Sequence, residues 1–220
     1  MELQEIDDDA NFQEIISPSP TNSCNASEIT RKGSCSVLKG KGLYAWYFRK
    51  FPQCIPTEGC RHYLWRGDDY TLLYVGIVPS EPPESGKASK QTLYNRIQQH
   101  VNGNAYGSTL RLSLGCLLSN ELGIQLRCIN NRKRKTFTKV GEKRLTDWMC
   151  ENALVVWTKY DKPWQKEVDF ITRLSPPLNL ECNKHHLFYA KLSAIRRQAR
   201  ETARKLEIVN EGCDTSLNTE

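Results

Sequence analysis

Gly42-Leu43-Tyr44-Ala45-Trp46-Tyr47-Phe48 and Leu73-Tyr74-Val75-Gly76-Ile77 are the two stretches on which the fold of this 220-residue chain turns. Each is dense in aromatic and β-branched residues, each is bounded by Gly, Pro or charge, and each is too short for a helix, so both predict buried strands. The glycine inside the second run predicts a bulge or a close backbone approach. On pattern alone, Tyr44 and Tyr74 are core residues as readily as functional ones.

Working outward, the second strand ends at Pro79 and a loop follows through Glu81-Pro82-Pro83-Glu84-Ser85-Gly86. A helix capped by Ser89 or Thr92 then carries Leu93, Ile97 and Val101 at i, i+4, i+8 and stops at Asn102-Gly103. Arg96 and His100, also four apart, lie side by side along one edge of its apolar stripe. A second helix buries Leu110, Leu114, Leu117 and Leu118 and ends at Gly123. Between the two opening strands, 49–70 reads as an insertion, a partly ordered excursion containing Tyr63 and Trp65.

Downstream, 125–129 and 136–140 predict a hairpin whose turn holds Arg132, Lys133, Arg134 and Lys135. Four consecutive cations are either a solvated tip or a contact for a phosphate backbone. A short helix around Leu145–Ala153 leads into a buried strand, Leu154-Val155-Val156-Trp157. Asp161 and Pro163 open a helix with Trp164, Glu167, Val168, Ile171 and Leu174 on one face, which turns Glu167 coreward. A carboxylate there is costly unless it is paired, hydrogen-bonded or bound to a metal. Pro176-Pro177 delivers Asn179, and a long stripe from Phe188 to Leu206 predicts a C-terminal helix with Arg196, Arg200 and Arg204 stacked along another face.

Charge is segregated. Residues 1–30 hold seven acidic and no basic residues, and 207–220 hold four more acids. All 31 Lys and Arg therefore fall in 31–206 beside 14 acids, a local excess of +17 that predicts a polyanionic partner, nucleic acid above all. The polar ends predict disordered acidic tails at 1–36 and 207–220, around a domain at 40–182 and a basic helix at 183–206. No apolar run is long enough to span a bilayer and the N-terminus lacks the basic character of a targeting peptide, so the expectation is an intracellular protein, cytoplasmic or nuclear. The nine cysteines lack paired CxxC spacing and read as reduced thiols, and Cys54, Cys60 and His62 are at most a fragment of a zinc site.

Taken in order, these residues make the chain resemble the GIY-YIG nuclease superfamily. Gly42-Leu43-Tyr44 stands in the place of the first motif and Tyr74-Val75-Gly76 in that of the second. Arg96 and His100 match the arginine and histidine of the following helix, Glu167 the metal-binding glutamate and Asn179 the late asparagine. The resemblance implies an α+β fold, a small three-stranded antiparallel sheet flanked by helices, here with insertions and a long C-terminal helix. It also implies a metal-dependent endonuclease that hydrolyses phosphodiester bonds, with DNA the foremost substrate. The alternative is a catalytically inactive nucleic-acid-binding module on the same fold.

The chemistry then assigns roles. Glu167 would bind one Mg²⁺ or Mn²⁺ and Arg96 would clamp the phosphate. Tyr44 or Tyr74 would activate water, Tyr44 being favoured by the resemblance, with His100 as proton shuttle. Asn179 would hold the glutamate or the substrate by hydrogen bond. Arg132, Lys133, Arg134, Lys135, Arg196, Arg200 and Arg204 are the expected nucleic-acid-binding residues.

Overall fold

The structure, a computed structural model, describes residues 10–30, 39–84, 89–130 and 133–211. Its centre is a five-stranded antiparallel sheet in the order β1 (Ser23–Asn25), β7 (Ala153–Lys159), β2 (Gly42–Phe48), β4 (Asp68–Val78), β3 (His62–Trp65). Every residue of β2 is buried, as the uninterrupted apolar run predicts for a strand covered on both faces. Tyr44, Trp46, Phe48, Val155 and Trp157 point to one face, and Leu43, Ala45, Tyr47, Leu154 and Val156 to the other.

β4 carries a register shift three residues from Gly76, which itself stays in regular register: Trp46 pairs with Tyr74 but Tyr47 pairs with Leu72. The extra residue, Leu73, lets Leu73 and Tyr74 both serve the first face, where strict alternation would have sent one of them away.

That first face is covered by α3 (Leu93–Asn102), α4 (Thr109–Leu117), α6 (Thr138–Asn152) and α8 (Tyr189–Lys205), with the one-turn α5 (Ser119–Leu122) following α4. Thr92, not Ser89, caps α3: its hydroxyl accepts from the Asn95 backbone N–H at 3.3 Å. The second face is closed by α1 (residues 10–16) and α7 (Glu167–Leu174), through Phe12, Ile15, Phe170 and Leu174. No helix among the described residues is long and apolar enough to cross a membrane.

Several expectations are corrected. The sheet has five strands rather than three, because two segments read as loop or tail join its edges. The insertion contributes β3, joined to β4 by Arg66-Gly67, both at positive φ as a two-residue hairpin requires. Residues 10–30, expected to be disordered, form α1, β1 and α2 (Ala26–Thr30). Their few apolar residues are spaced to be buried, Phe12, Ile15, Cys24, Ala26 and Ile29 all being inside, and the Tyr47 hydroxyl donates to the Ile15 carbonyl at 2.7 Å. The rest of the expected N-terminal tail and residues 212–220 lie outside the described residues.

The predicted hairpin keeps only the short pair β5 (Arg127–Cys128) and β6 (Lys135–Thr136); residues 138–140 start α6 instead. The predicted helix splits into a 3-10 turn, Pro163–Gln165, with Trp164 half-buried, and α7, in which Val168 is exposed and Phe170 takes the core position. The C-terminal helix begins at Tyr189 rather than at 183. Part of the acidic C-terminal segment is ordered: Val209 bridges Ile129 on the hairpin, and the Arg127 guanidinium donates to the Glu207 carbonyl at 2.9 Å.

Candidate active site

Tyr44 and Gly76 are directly opposed on β2 and β4. A Cβ placed on Gly76 would stand 2.3 Å from the Tyr44 hydroxyl oxygen, so the second glycine exists to let the phenol of the first motif lie across the neighbouring strand. Gly42 is equally constrained, since a Cβ there would come 2.0 Å from the Thr158 carbonyl oxygen.

The phenol laid down this way meets α3. Its oxygen is 2.7 Å from His100 Nε2 and accepts from Arg96 Nε at 3.3 Å. His100 Nδ1 is 2.7 Å from Ser108 Oγ, and that hydroxyl oxygen also accepts from the Arg111 backbone N–H, capping α4. The result is one hydrogen-bonded chain, Arg96–Tyr44–His100–Ser108. Arg96 is further held by the Gly107 carbonyl at 3.1 Å and Gln99 Oε1 at 3.4 Å, which fixes the plane of its guanidinium. Tyr74 adds a second phenol, its ring 5.8 Å from that of His100 and its hydroxyl 3.2 Å from Thr109 Oγ1.

His100 is fully buried. Burial, with the Arg96 and Arg111 guanidiniums nearby, holds its pKa well below the ordinary 6.5, so the ring is neutral at pH 7. Tyr44 is 1 % exposed, and burial, reinforced by Tyr74 and opposed by Arg96, raises its pKa. A free phenolate is therefore scarce, and ionisation of Tyr44 needs both its cationic and its imidazole neighbour. Glu167, at the first turn of α7, is half-buried; burial and the nearby Glu181 raise its pKa while Arg96 lowers it.

Asn179 departs from its expected part. Its Oδ1 accepts from the Val75 N–H at 2.9 Å and its Nδ2 donates to the Val75 carbonyl at 2.8 Å, a two-point clamp on the strand residue before Gly76. It positions the strand that carries the second motif, and it is not hydrogen-bonded to Glu167. Of the basic residues, Arg132 lies outside the described residues, Lys133 and Lys135 are on or beside the hairpin turn, and the Arg134 backbone carbonyl accepts from the Ile129 N–H at 2.9 Å. Arg204 is exposed and Arg200 half-exposed, as a phosphate-contacting face requires, but Arg196 is 8 % exposed and sits in the buried stripe between Leu192 and Ala203.

Sequence reading missed Ser108 and the Arg111–Glu142 pair. Ser108 was findable, since Ser-Thr before an apolar helix is an N-cap signal. Arg111 and Glu142 were not, because they lie 31 residues apart and meet only through packing. Arg111 is fully buried: its Nε and Nη2 donate to Glu142 Oε2 at 2.9 and 2.7 Å, and its Nη1 donates to the His100 and Val101 carbonyls. The pair thereby ties the end of α3, and His100 with it, to α4 and α6.

A buried tyrosine–histidine–serine chain, an oriented arginine and a half-buried carboxylate on an α+β scaffold are the makings of a phosphodiester-hydrolysing centre. The sequence profile of the GIY-YIG catalytic domain matches residues 42–200, and the chain belongs to that family. Membership carries nuclease activity on nucleic acid as the family's general function, and divalent metal as its general requirement. No curated protein and no solved structure matches the chain.

Proposed function

We propose that this protein is a divalent-metal-dependent endonuclease with DNA as its substrate. The observation that carries the reading is the Arg96–Tyr44–His100–Ser108 chain with Glu167 in electrostatic reach of Arg96.

Glu167 fits a hard divalent ion, Mg²⁺ or Mn²⁺: it is a half-buried carboxylate at a helix start with a second carboxylate, Glu181, nearby. Among the described residues no three His, Cys, Asp or Glu side chains converge, and a one-carboxylate site leaves room for water and phosphate oxygens as ligands. When bound, the ion supplies charge neutralisation at the phosphate and at the leaving oxygen.

The chain's own residues do the rest. Tyr44 takes the proton of the attacking water as its own proton passes to His100 Nε2. His100 Nδ1 lies 2.7 Å from Ser108 Oγ, and in the tautomer with the proton on Nδ1 that oxygen accepts it and Nε2 is left open. Arg96 stabilises the phenolate through Nε and turns the remainder of its fork to the phosphate. Lys133, Arg134, Lys135, Arg200 and Arg204 follow the substrate backbone, in keeping with the +17 excess of residues 31–206.

One observation favours the second reading, a binding module without cleavage: the proposed base is 1 % exposed. Incubation of plasmid, single-stranded, branched and RNA substrates with and without Mg²⁺ or Mn²⁺ separates the two. Metal-dependent cleavage of DNA is expected. Glu167→Ala should abolish it with affinity within a few fold, and Arg96→Ala should lose about 10²-fold or more in rate at similar affinity. Arg200→Ala should instead weaken binding and spare the rate. Cleavage retained by Glu167→Ala would remove the metal assignment, and tight binding without cleavage under every condition would establish the binding module.

A further inference from the structure

Among the described residues two arginines are buried, and they are buried differently. Arg111 has a carboxylate, three backbone carbonyls and a hydroxyl around it, so its desolvation is compensated within the fold. Arg196 sits where the stripe of α8 calls for an apolar side chain, is 8 % exposed, and its buried Nε has no hydrogen-bond partner. Among the described residues no carboxylate pairs with it; the groups acting on it are Arg200, Cys116 and Tyr74. Cys116 is no counter-ion, because burial pushes its thiol up to about 11. A second cation, Arg200, stands one helical turn on. An uncompensated buried guanidinium with another beside it destabilises the free protein, and an anion that enters from outside relieves both charges.

Its location says which anion. α8 packs on α4, whose first residue, Thr109, is hydrogen-bonded to the Tyr74 hydroxyl, and that phenol lies near Arg96 and Arg196 alike. Arg96 belongs to the reacting centre. We propose that Arg196, supported by Arg200, forms a second phosphate subsite beside the catalytic cluster and grips, by bidentate hydrogen bonds, a phosphodiester neighbouring the scissile one in the same strand. The proposal rests on the nuclease reading for its substrate, but the anion site itself does not. Arg196 is thus a substrate-binding residue beside the catalytic cluster rather than part of an outer basic face.

The test uses the full chain and the variants Arg196→Met and Arg196→Lys. Thermal melting is followed with and without inorganic pyrophosphate, and binding of a DNA oligonucleotide is measured without divalent metal over a range of salt. Arg196→Met should melt no lower than wild type without anion, fail to gain stability from pyrophosphate, and bind DNA about tenfold more weakly, with the salt slope shallower by about 1. In cleavage the loss should fall on KM more than on kcat. A purely structural arginine predicts the reverse, a lower melting point with unchanged salt slope and unchanged response to pyrophosphate, and that result overturns the proposal. Arg196→Lys keeps the charge without the fork and decides the matter if the methionine variant does not fold: unchanged DNA affinity overturns the subsite. If wild type cleaves nothing, the nuclease reading fails, while the pyrophosphate response still determines whether the anion site exists.

Discussion

At the scale of single residues, the site is an agreement between a glycine and a tyrosine on adjacent strands. Gly76→Ala puts a methyl 2.3 Å from the Tyr44 oxygen, so either the phenol leaves His100 or β2 and β4 separate. The expected cost is about 1–3 kcal/mol of stability with cleavage reduced by about 10²-fold or more, measured by urea unfolding and initial rates. Wild-type rates in that variant would mean that Tyr44 placement is unimportant. His100 supplies a pH signature. The unfolded chain protonates its imidazole near 6.5 and the folded chain does so only well below, so between those values the unfolded state holds more protons. Stability present above pH 6.5 is therefore lost as pH falls, by up to about 1.4 kcal/mol per pH unit from this group. Unfolding at pH 5, 6 and 7 should show that component in wild type and not in His100→Asn; parallel pH curves for the two proteins would contradict a neutral buried histidine.

At the scale of elements, α3, α4 and α6 hold the histidine in place through the Arg111–Glu142 pair. Glu142 Oε1 also accepts from the Ala105 and Phe137 backbone N–H groups, so one carboxylate joins three segments. Arg111→Met should cost about 3–5 kcal/mol because it leaves Glu142 buried and unpaired. The double variant Arg111→Met/Glu142→Gln should cost less than the sum of the single variants by more than about 1 kcal/mol, as a cycle of urea titrations would show. Strict additivity would mean that the two residues act separately. None of this was legible in the sequence. The helices were, since Thr92, Asn102-Gly103 and the Leu93-Ile97-Val101 spacing are local signals, but which charges face one another across helices is set by packing alone.

At the scale of the whole molecule, the N-terminal segment is part of the domain. β1 pairs with β7 through Ser23↔Val156, Cys24↔Val155 and Asn25↔Leu154, and Phe12, Ile15 and Ile29 are buried. Removing residues 1–30 strips these contacts at roughly 2 kcal/mol for each large apolar side chain and exposes the β7 edge. The melting temperature should fall by on the order of 10 °C with a tendency to aggregate, followed by calorimetry and light scattering. A truncated protein as stable and monodisperse as the full chain would return this segment to the status of a detachable tail. The sequence by itself determined β2 and the core of β4, the helix carrying Arg96 and His100, and the +17 charge of the central segment. It did so because strand runs, helical spacing and caps are local, and because charge needs no coordinates. Only the tertiary structure decided that residues 23–25 and 62–65 complete the sheet, that Asn179 clamps Val75, and that Arg196 is buried while Arg204 is exposed. A sparse apolar pattern in a polar segment becomes an element only when a neighbouring edge offers it partners. Likewise, whether a helical arginine faces water or core depends on what packs against that helix, which no local spacing contains.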